Sequence, residues 1–309
     1  MSESLADLVS ASPAMANVIA QIRRLAKTEV TVTLTGETGT GKDVLAHVVH
    51  EASKRARGPF VVFDCGAVPA NLVESELFGH ERGAFTGAHS EHAGAFERSR
   101  AGTLFLDEIG ELPLDLQPRL LRALENKSVR RVGGARDRPI DVRIIAATNR
   151  DLAALVANRL FRQDLYFRLA AAIVHVPPLR DRIEDVPLLA RHLLADLGRR
   201  GVRLTTEALA RLQAHMWPGN VRELKNVLAY ALAFVDGAGA LEARHLRFVP
   251  VVADGTVLER LPLGGHALER VEEATIRQTL TLTKGNKAYA ARLLGISPST
   301  LYDKLKRYS

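Results

Sequence analysis

A phosphate-binding loop is predicted at residues 36–42, which read Gly-Glu-Thr-Gly-Thr-Gly-Lys after an apolar, β-branched run. The glycines allow the backbone to turn so that its N–H groups point inward, and a following helix adds partial positive charge. Lys42 supplies a charge for the outer phosphates of a nucleotide. Asp43 stands where most such loops have Ser or Thr, so we expect a carboxylate to hold Mg²⁺ there through water. The predicted nucleotide-binding residues are Gly36, Glu37, Thr38, Gly39, Thr40, Gly41, Lys42 and Asp43.

A second acidic motif follows the apolar run Thr103–Leu106, which ends in Asp107 and Glu108. Taken alone, the run is also compatible with an ordinary buried strand and a solvated turn. Beside a phosphate loop, Asp107 would hold Mg²⁺, and Glu108 would orient and polarise the attacking water. The two motifs together predict hydrolysis of a nucleoside triphosphate.

The elements that must position these residues alternate between strand and helix patterns over residues 15–180. Short apolar runs predict strands, and helical spacing between them predicts an α/β fold, a parallel sheet sandwiched by helices. The predicted strands are Val30–Thr35, Phe60–Phe63, Thr103–Leu106, Val142–Ala146 and Ile173–Val176. Residues 184–246 show helical periodicity only, with a break at Pro218-Gly219 and Asn220 as a predicted N-cap.

The C-terminal segment predicts a helix-turn-helix module. A short helix over residues 286–294 ends at Gly295, and Ser297 with Pro298 begins a second helix. Residues 284–309 carry six basic residues and one acidic residue, a charge balance suited to phosphate contacts, although a basic hairpin that merely packs has the same pattern. In this layout the second helix enters the major groove. The predicted DNA-binding residues are Ser297, Ser299, Thr300, Tyr302, Lys304 and Lys306.

Length and composition agree with several domains and exclude several classes of protein. The 309 residues, 47% hydrophobic and 25% charged, exclude disordered and collagen-like chains. The longest apolar run, Val227–Val235, is too short for a membrane helix, which needs about 20 residues. No basic residue precedes Arg23, the wrong pattern for a secretory signal, and Cys65 is the single cysteine. We therefore expect a cytoplasmic protein without membrane contact. The predicted domains are 1–180 (α/β), 181–248 (helical lid), 249–266 (linker) and 267–309 (helix-turn-helix).

Four further sequence segments narrow the range of possible functions. The first, Gly83-Ala84-Phe85-Thr86-Gly87-Ala88, places an aromatic residue between glycines; it predicts either a partner contact or a turn whose Phe packs into the core. Arg162 and Arg168 would ordinarily be solvated charges. Arg222 lies in the first turn of a predicted helix, where its charge opposes the helix dipole. Asn149 places a polar side chain at the end of a strand.

In combination these motifs resemble the AAA+ domain of sigma-54-dependent transcription activators, the bacterial enhancer-binding proteins, over about residues 8–248. The Gly83–Ala88 string is the family's signature. The C-terminal segment is similar to the Fis-type DNA-binding domain that ends many of these activators. The resemblance implies a homo-oligomeric ring, usually a hexamer, that hydrolyses ATP with Mg²⁺ and remodels the closed complex of sigma-54 RNA polymerase from enhancer DNA.

The resemblance also implies roles for individual residues. Gly36–Asp43 is the Walker A loop, in which an acid at the last position is ordinary for this family, and Asp107 with Glu108 is Walker B. Asn149 is the sensor I residue and Arg222 the sensor II residue. Arg162 and Arg168 are arginine fingers that reach the nucleotide of the neighbouring subunit. The residues at the tip of the loop that contacts sigma-54 are Gly83, Ala84, Phe85, Thr86, Gly87 and Ala88.

Two features depart from the family pattern. The family usually has Asn where this chain has Asp64, and there it restrains the catalytic Glu in a nucleotide-dependent switch. A second carboxylate facing Glu108 would repel it unless one is protonated or an ion screens them, so we expect a retuned switch. Only a handful of residues precede the ATPase, where most relatives carry a receiver or ligand-sensing domain. Either a separate regulatory protein controls it, or such a domain has been removed.

Two rival functions remain open on the residues. One is a remodelling ATPase of another AAA+ branch, such as a chaperone or chelatase subunit, which the Gly83–Ala88 loop and the basic tail disfavour. The other is a DNA-binding regulator that has lost ATPase activity, which the intact Lys42, Asp107 and Glu108 disfavour.

Overall fold

A computed structural model describes residues 10–235, 237, 239–248, 268–283 and 286–307. The chain forms two compact units, Met1–Val249 and Pro250–Ser309. The predicted linker, residues 249–266, lies outside the described residues. Among the helices of the described part, none is long and apolar enough to cross a membrane.

The first unit begins with an α/β region whose elements alternate as the sequence predicts. In chain order they are α1 (Pro13–Ala26), β1 (Val32–Thr35), α2 (Lys42–Glu51), β2 (Phe60–Asp64), α3 (Ala70–Phe78), α4 (Ala95–Arg98), β3 (Thr103–Asp107), α5 (Gln117–Asn126), β4 (Ser128–Arg130), β5 (Asp137–Pro139), β6 (Arg143–Thr148), α6 (Leu152–Ala157), α7 (Gln163–Leu169) and β7 (Ile173–His175). The main sheet has the order β2-β3-β6-β1-β7, and every pairing in it is parallel. The predicted α/β fold class is confirmed.

Apolar side chains cover both faces of this sheet. On β3, Phe105 packs with Met15, Ile22 and Leu45 from α1 and α2. The adjacent Leu104 and Leu106 pack on the other face with residues of α3, α5 and α7. Because successive side chains of a strand point to opposite faces, a run of consecutive apolar residues is what a doubly covered strand requires. The packing fixes the carboxyl ends of β1, β3 and β6 along one edge of the sheet.

The rest of the first unit is a mainly helical lid. Its elements are α8 (Val186–Asp196), β8 (Arg203–Leu204), α9 (Thr206–Gln213), α10 (Asn220–Leu232) and β9 (Ala240–Leu241). The expectation of helix only was wrong here, because β8 and β9 form a short parallel pair. Strands of two residues are too short to produce a period, and their pairing joins segments far apart in the chain.

A buried carboxylate joins the start of the chain's described part to the lid. Asp185 is fully buried and accepts hydrogen bonds from Ala11 N at 2.5 Å, Ser12 N at 2.7 Å and Ser12 Oγ at 3.1 Å. Ser12 also caps α1 by accepting from Met15 N. The segment before α1 is thereby bonded directly to the residue that precedes α8.

The described residues of the second unit, 268–283 and 286–307, form the helices α11 (Leu268–Leu282), α12 (Lys287–Leu293) and α13 (Pro298–Arg307). Its core includes Ile276, Ala290, Ala291 and Leu301, one or two residues from each helix. Gly295 has φ +67° in the turn between α12 and α13, a conformation that glycine adopts without strain. The predicted helix, glycine turn and second helix are all present.

Candidate functional site

The phosphate loop joins the end of β1 to the start of α2. Gly41 has φ +94° immediately before α2, so the loop can enter the helix only through a residue that tolerates the left-handed region. The ammonium of Lys42 is buried and donates to Gly36 O at 2.9 Å and to Glu37 O at 3.2 Å. Burial lowers the pKa of Lys42, while the charges of Glu108, Asp107 and Asp43 oppose that effect. The positive charge therefore lies among the acidic residues that the sequence assigned to the same site.

The acidic pair lies at the end of β3. Asp107 Oδ1 accepts from Glu108 N at 3.0 Å, and Glu108 has φ +47°, an uncommon conformation for a residue with a side chain. Burial raises the pKa of Asp107, and the charges of Glu108 and Asp64 raise it further. Acidic charge is thus concentrated at this end of the sheet.

Asp64 lies in register with Asp107 on the neighbouring strand β2. Its Oδ1 accepts from Gly66 N at 2.9 Å and from Ala67 N at 3.1 Å, so the carboxylate stabilises the turn that follows β2. The charge of Asp64 contributes to the raised pKa of the neighbouring Asp107, and the expected repulsion between Asp64 and Glu108 stays a prediction.

Asn149 connects the acidic pair to the phosphate loop. It follows β6, and its backbone N donates to Glu108 Oε2 at 3.3 Å. Its side-chain Nδ2 donates to Thr38 Oγ1 at 2.9 Å. One residue therefore orients the carboxylate of Glu108 and contacts the loop, an arrangement that suits the predicted sensor role.

The lid supplies Arg222, in the first turn of α10. Arg222, Gly39 and Asp43 line one cavity of about 410 Å³ between the loop and the lid. Gly39 leaves no room for a side chain, because a Cβ there would lie 2.5 Å from Gly219 O and 3.0 Å from Arg222 Cβ. The structure thus brings together the phosphate loop, the acidic pair, Asn149 and Arg222.

The two other predicted arginines do not bond to this chain's phosphate loop. Arg162 is exposed and forms an ion pair with Asp164 at 2.7 Å. Arg168, near the end of α7, donates to Leu124 O at 3.0 Å. Within the described residues, neither side chain has a recorded bond to residues 36–43.

The Gly83–Ala88 loop is anchored at its ends and exposed at its centre. Gly83 N donates to Ala88 O at 2.8 Å, and Ala88 is buried. Phe85 is 41% exposed and contacts the His80 ring edge-on, with centroids 5.0 Å apart. The alternative in which Phe85 packs into the core was wrong, because the ring lies at the surface.

In the C-terminal unit, the predicted N-cap is present, since Ser297 Oγ accepts from Thr300 N at 3.1 Å. Tyr302 is 57% exposed, with Lys287 4.4 Å from its ring centroid, and Lys306 is exposed. Lys304, however, forms an ion pair with Glu272 of α11 at 2.5 Å. This pair attaches α13 to α11, so Lys304 is less available for phosphate contact than its sequence position indicated.

Sequence reasoning missed three residues that contact the phosphate loop, two in the segment before α8 and one at the start of α10. Arg180 bonds to Glu37, Arg182 donates to Thr40 O at 2.7 Å, and Asn220 bonds to Glu37 and Thr38. The prediction of Asn220 as an N-cap was wrong, because Gly219 holds that position and the amide is bonded to the loop and to Leu179 N. These contacts join residues more than 140 positions apart, and no local pattern indicates them.

The donor set fits Mg²⁺. Asp107 and Asp43 offer carboxylate oxygens, the ligand type this ion prefers, and it binds proteins through one or two carboxylates together with phosphates. Burial and the neighbouring acidic charges raise the pKa of Asp107, and a cation would relieve the repulsion among those charges.

The raised pKa of Asp107 makes the stability of the folded protein depend on pH. A carboxylate whose pKa is raised on folding stabilises the protein below its unfolded pKa, and that contribution is lost as pH rises through the folded pKa. At pH 7 the ionised Asp107 therefore destabilises the apoprotein. We expect Asp107→Asn to raise the melting temperature by about 1–2 °C at pH 7, a small gain because the side chain is partly solvated.

Calorimetry at pH 7 and at lower pH checks this expectation, and the gain should shrink as pH falls through the raised pKa of Asp107 toward the ordinary value of an Asp carboxyl. Asp115→Asn, at an exposed acid outside the site, is the matched control. A melting temperature lowered by Asp107→Asn at pH 7 would contradict the charge argument.

The comparisons with known proteins follow the same division of the chain. Residues 8–175 match the family described as Sigma-54 interaction domain, residues 180–250 match AAA+ ATPase lid domain, and residues 267–308 match Bacterial regulatory protein, Fis family. The chain is 43% identical to the DNA-binding transcriptional activator HyfR of Escherichia coli (strain K12), covering 98% of this chain and 48% of HyfR. It is 41% identical to the DNA-binding transcriptional regulator NtrC of Azospirillum brasilense, covering 97% of this chain and 69% of NtrC.

A solved structure is similar over the same length. The crystal structure of NtrX from Brucella abortus in complex with ATP is 33% identical, with a TM-score of 0.71, and the match covers 97% of this chain and 69% of NtrX. The chain therefore spans about half the length of HyfR and about two thirds of NtrC and NtrX.

Proposed function

Because the chain belongs to the family of sigma-54-dependent transcription activators, we propose that it hydrolyses ATP to remodel the closed complex of sigma-54 RNA polymerase while bound to enhancer DNA. The observation that carries the proposal is the pairing, in one compact unit, of an assembled phosphate site with an exposed aromatic loop. A remodelling ATPase of another branch would not need the loop, and an inactive regulator would not need the site.

The hydrolysis follows from the site's geometry. The loop N–H groups and Lys42 bind the phosphates, and Asp107 and Asp43 would hold Mg²⁺, which neutralises phosphate charge. Glu108, oriented by Asn149 N, accepts a proton from the attacking water. Arg222 lies beside the loop, where a positive charge stabilises the phosphoryl group in transfer.

We propose that a complete active site includes arginines from a second copy of the chain. Arg162 and Arg168 are exposed and have no recorded bond to the phosphate loop of their own chain within the described residues. Their exposure supports the proposal that both reach the nucleotide of a neighbouring subunit, as the family's arginine fingers do. We therefore propose a homo-oligomeric ring, a hexamer in this family.

Two further surfaces bind the proposed partners, sigma-54 and DNA. The loop from Gly83 to Ala88 presents Phe85 and Thr86 to sigma-54. The helix α13 presents Ser299, Thr300 and Tyr302 to base edges, and Lys306 to phosphates.

The proposed domain boundaries are 1–180, 181–248 and 267–309, with 249–266 as a linker. The proposed activator acts in the cytoplasm, and a separate regulatory protein is compatible with this arrangement.

Promoter opening by purified sigma-54 RNA polymerase tests the proposal. We expect the full chain to open an enhancer-bearing promoter only with hydrolysable ATP. Cutting the chain after residue 250 should spare ATP turnover and remove specific DNA binding, since the two units have separate cores. The cut form should open the promoter only at about 100-fold higher protein concentration, because tethering raises local concentration.

The controls separate the parts of the proposal. Lys42→Ala in the full chain should bind enhancer DNA normally and open nothing. Enhancer affinity that is unchanged by the cut would refute the DNA-binding role of the C-terminal unit. Promoter opening without ATP would refute the remodelling function itself.

A further inference from the structure

Four consecutive residues of the phosphate loop are bonded to the lid. Gly39 O accepts from Val221 N at 2.9 Å, and Thr40 O accepts from Arg182 Nη2 at 2.7 Å. The other two, Glu37 and Thr38, bond to side chains of the lid. The loop that binds the phosphates is therefore held from outside by the lid.

The carboxylate of Glu37 carries a negative charge in a loop that binds phosphates, which this charge would repel. In the structure it forms a two-pronged ion pair with Arg180, whose Nη1 and Nη2 donate to Oε2 at 2.8 Å and to Oε1 at 2.6 Å. Such fork-to-fork pairs fix orientation as well as distance. The side chain of Glu37 thus bonds to the segment that precedes α8, while its backbone contributes to the loop.

Asn220, at the start of α10, bonds both to Leu179 and to two residues of the phosphate loop, Glu37 and Thr38. Its Nδ2 donates to Glu37 Oε2 at 3.2 Å and to Thr38 O at 3.1 Å, and its Oδ1 accepts from Leu179 N at 2.7 Å. The N–H of Leu179 determines which end of the amide is oxygen. Asn220 is fully buried, and its φ of +52° lies in the left-handed region, which Asn tolerates better than most residues with a side chain.

We propose that Glu37, Arg180 and Asn220, here called the latch, set the position of Arg222 over the phosphate loop. Arg222 follows Asn220 by two residues in the first turn of α10, so a displacement of Asn220 displaces the guanidinium. Arg180 and Glu37 are positioning residues that act on ATP hydrolysis through Arg222. The inference rests on the proposed ATPase function.

A double-mutant cycle tests the inference in the full chain. We expect Arg180→Gln to lower kcat by about tenfold with KM for ATP changed less than about threefold, because it removes orientation rather than binding. In an Arg222→Ala background the same change should cost less than about twofold, since the two residues act as one unit. Losses that multiply would overturn the proposal.

A matched control distinguishes loss of the latch from a general loss of stability in the lid. Arg244 is an exposed lid arginine that pairs with Glu242 at 3.0 Å, so Arg244→Gln makes the same chemical change away from the loop and should leave kcat unchanged. Arg180→Lys keeps the charge and loses the fork, so its kcat should lie between those of wild type and Arg180→Gln.

A second readout does not depend on hydrolysis. Hydrogen exchange at the amides of Val221 and Glu223, which bond to Gly39 O and Gly219 O, should slow when ADP saturates the wild type or Arg244→Gln. Arg180→Gln should still bind ADP by equilibrium dialysis and lose this slowing. Equal slowing in Arg180→Gln, or none in the wild type, would overturn the latch. A wild type that binds ADP and never hydrolyses ATP would instead refute the proposed function.

Discussion

Replacing Glu108 with glutamine is expected to lower ATP turnover by about 100-fold to 10,000-fold, the range that a general base contributes. Glutamine keeps the shape of the side chain and can still accept from Asn149 N, whose bond to Glu108 Oε2 is 3.3 Å long. It cannot accept a proton from water. Single-turnover hydrolysis measured beside ATP binding by filtration should therefore show a large loss of rate with little loss of affinity.

The appropriate comparison is Glu111→Gln, which neutralises a nearby acid that pairs with Arg150 at 2.7 Å. It should retain most of the turnover, because its carboxylate is already bonded to an arginine. A Glu108→Gln protein that turned over ATP at the wild-type rate would show that another group activates the water.

Phe85→Ala and Thr86→Ala are expected to abolish promoter opening and leave ATP turnover within about twofold. Truncating an aromatic contact residue at an interface centre costs about 2 kcal/mol or more, about 30-fold in affinity. Within the first unit, Phe85 contacts the His80 ring and lies outside the phosphate site. Loss of the Phe85 ring should therefore leave ATP hydrolysis intact and remove promoter opening.

Phe234→Ala serves as the control for Phe85→Ala. Phe234 is a 57% exposed aromatic residue of the lid, so its truncation removes similar surface from a different place. Binding of sigma-54 and promoter opening should both persist in this variant. Full promoter opening by Phe85→Ala and Thr86→Ala alike would exclude the loop as the contact.

The sequence was most informative where chemistry depends on consecutive residues. The loop before Lys42, the strand ending at Asp107 and the turn at Gly295 each combine a local conformation with a local composition, and the structure has all three. Element boundaries differed by a few residues, as at β1, which begins at Val32 rather than at Val30.

What the sequence could not provide depends on partners far along the chain. Asn220 has the composition of a helix cap, yet its amide is bonded to the phosphate loop, because burial between two segments outweighs a local preference. Lys304 has the spacing of a phosphate contact, and the ion pair with Glu272 becomes visible only when α11 and α13 are packed. In both cases the pairing in space decides the role of the side chain.

The anchoring of Asp185 has a practical consequence for preparing fragments of the protein. A fragment that began at Pro13 would lose three donors, two from backbone N–H groups and one from the hydroxyl of Ser12. A fully buried carboxylate would then lack these partners, at a cost of several kcal/mol. The smallest well-behaved ATPase fragment should therefore begin before Ala11, although the first helix begins only at Pro13.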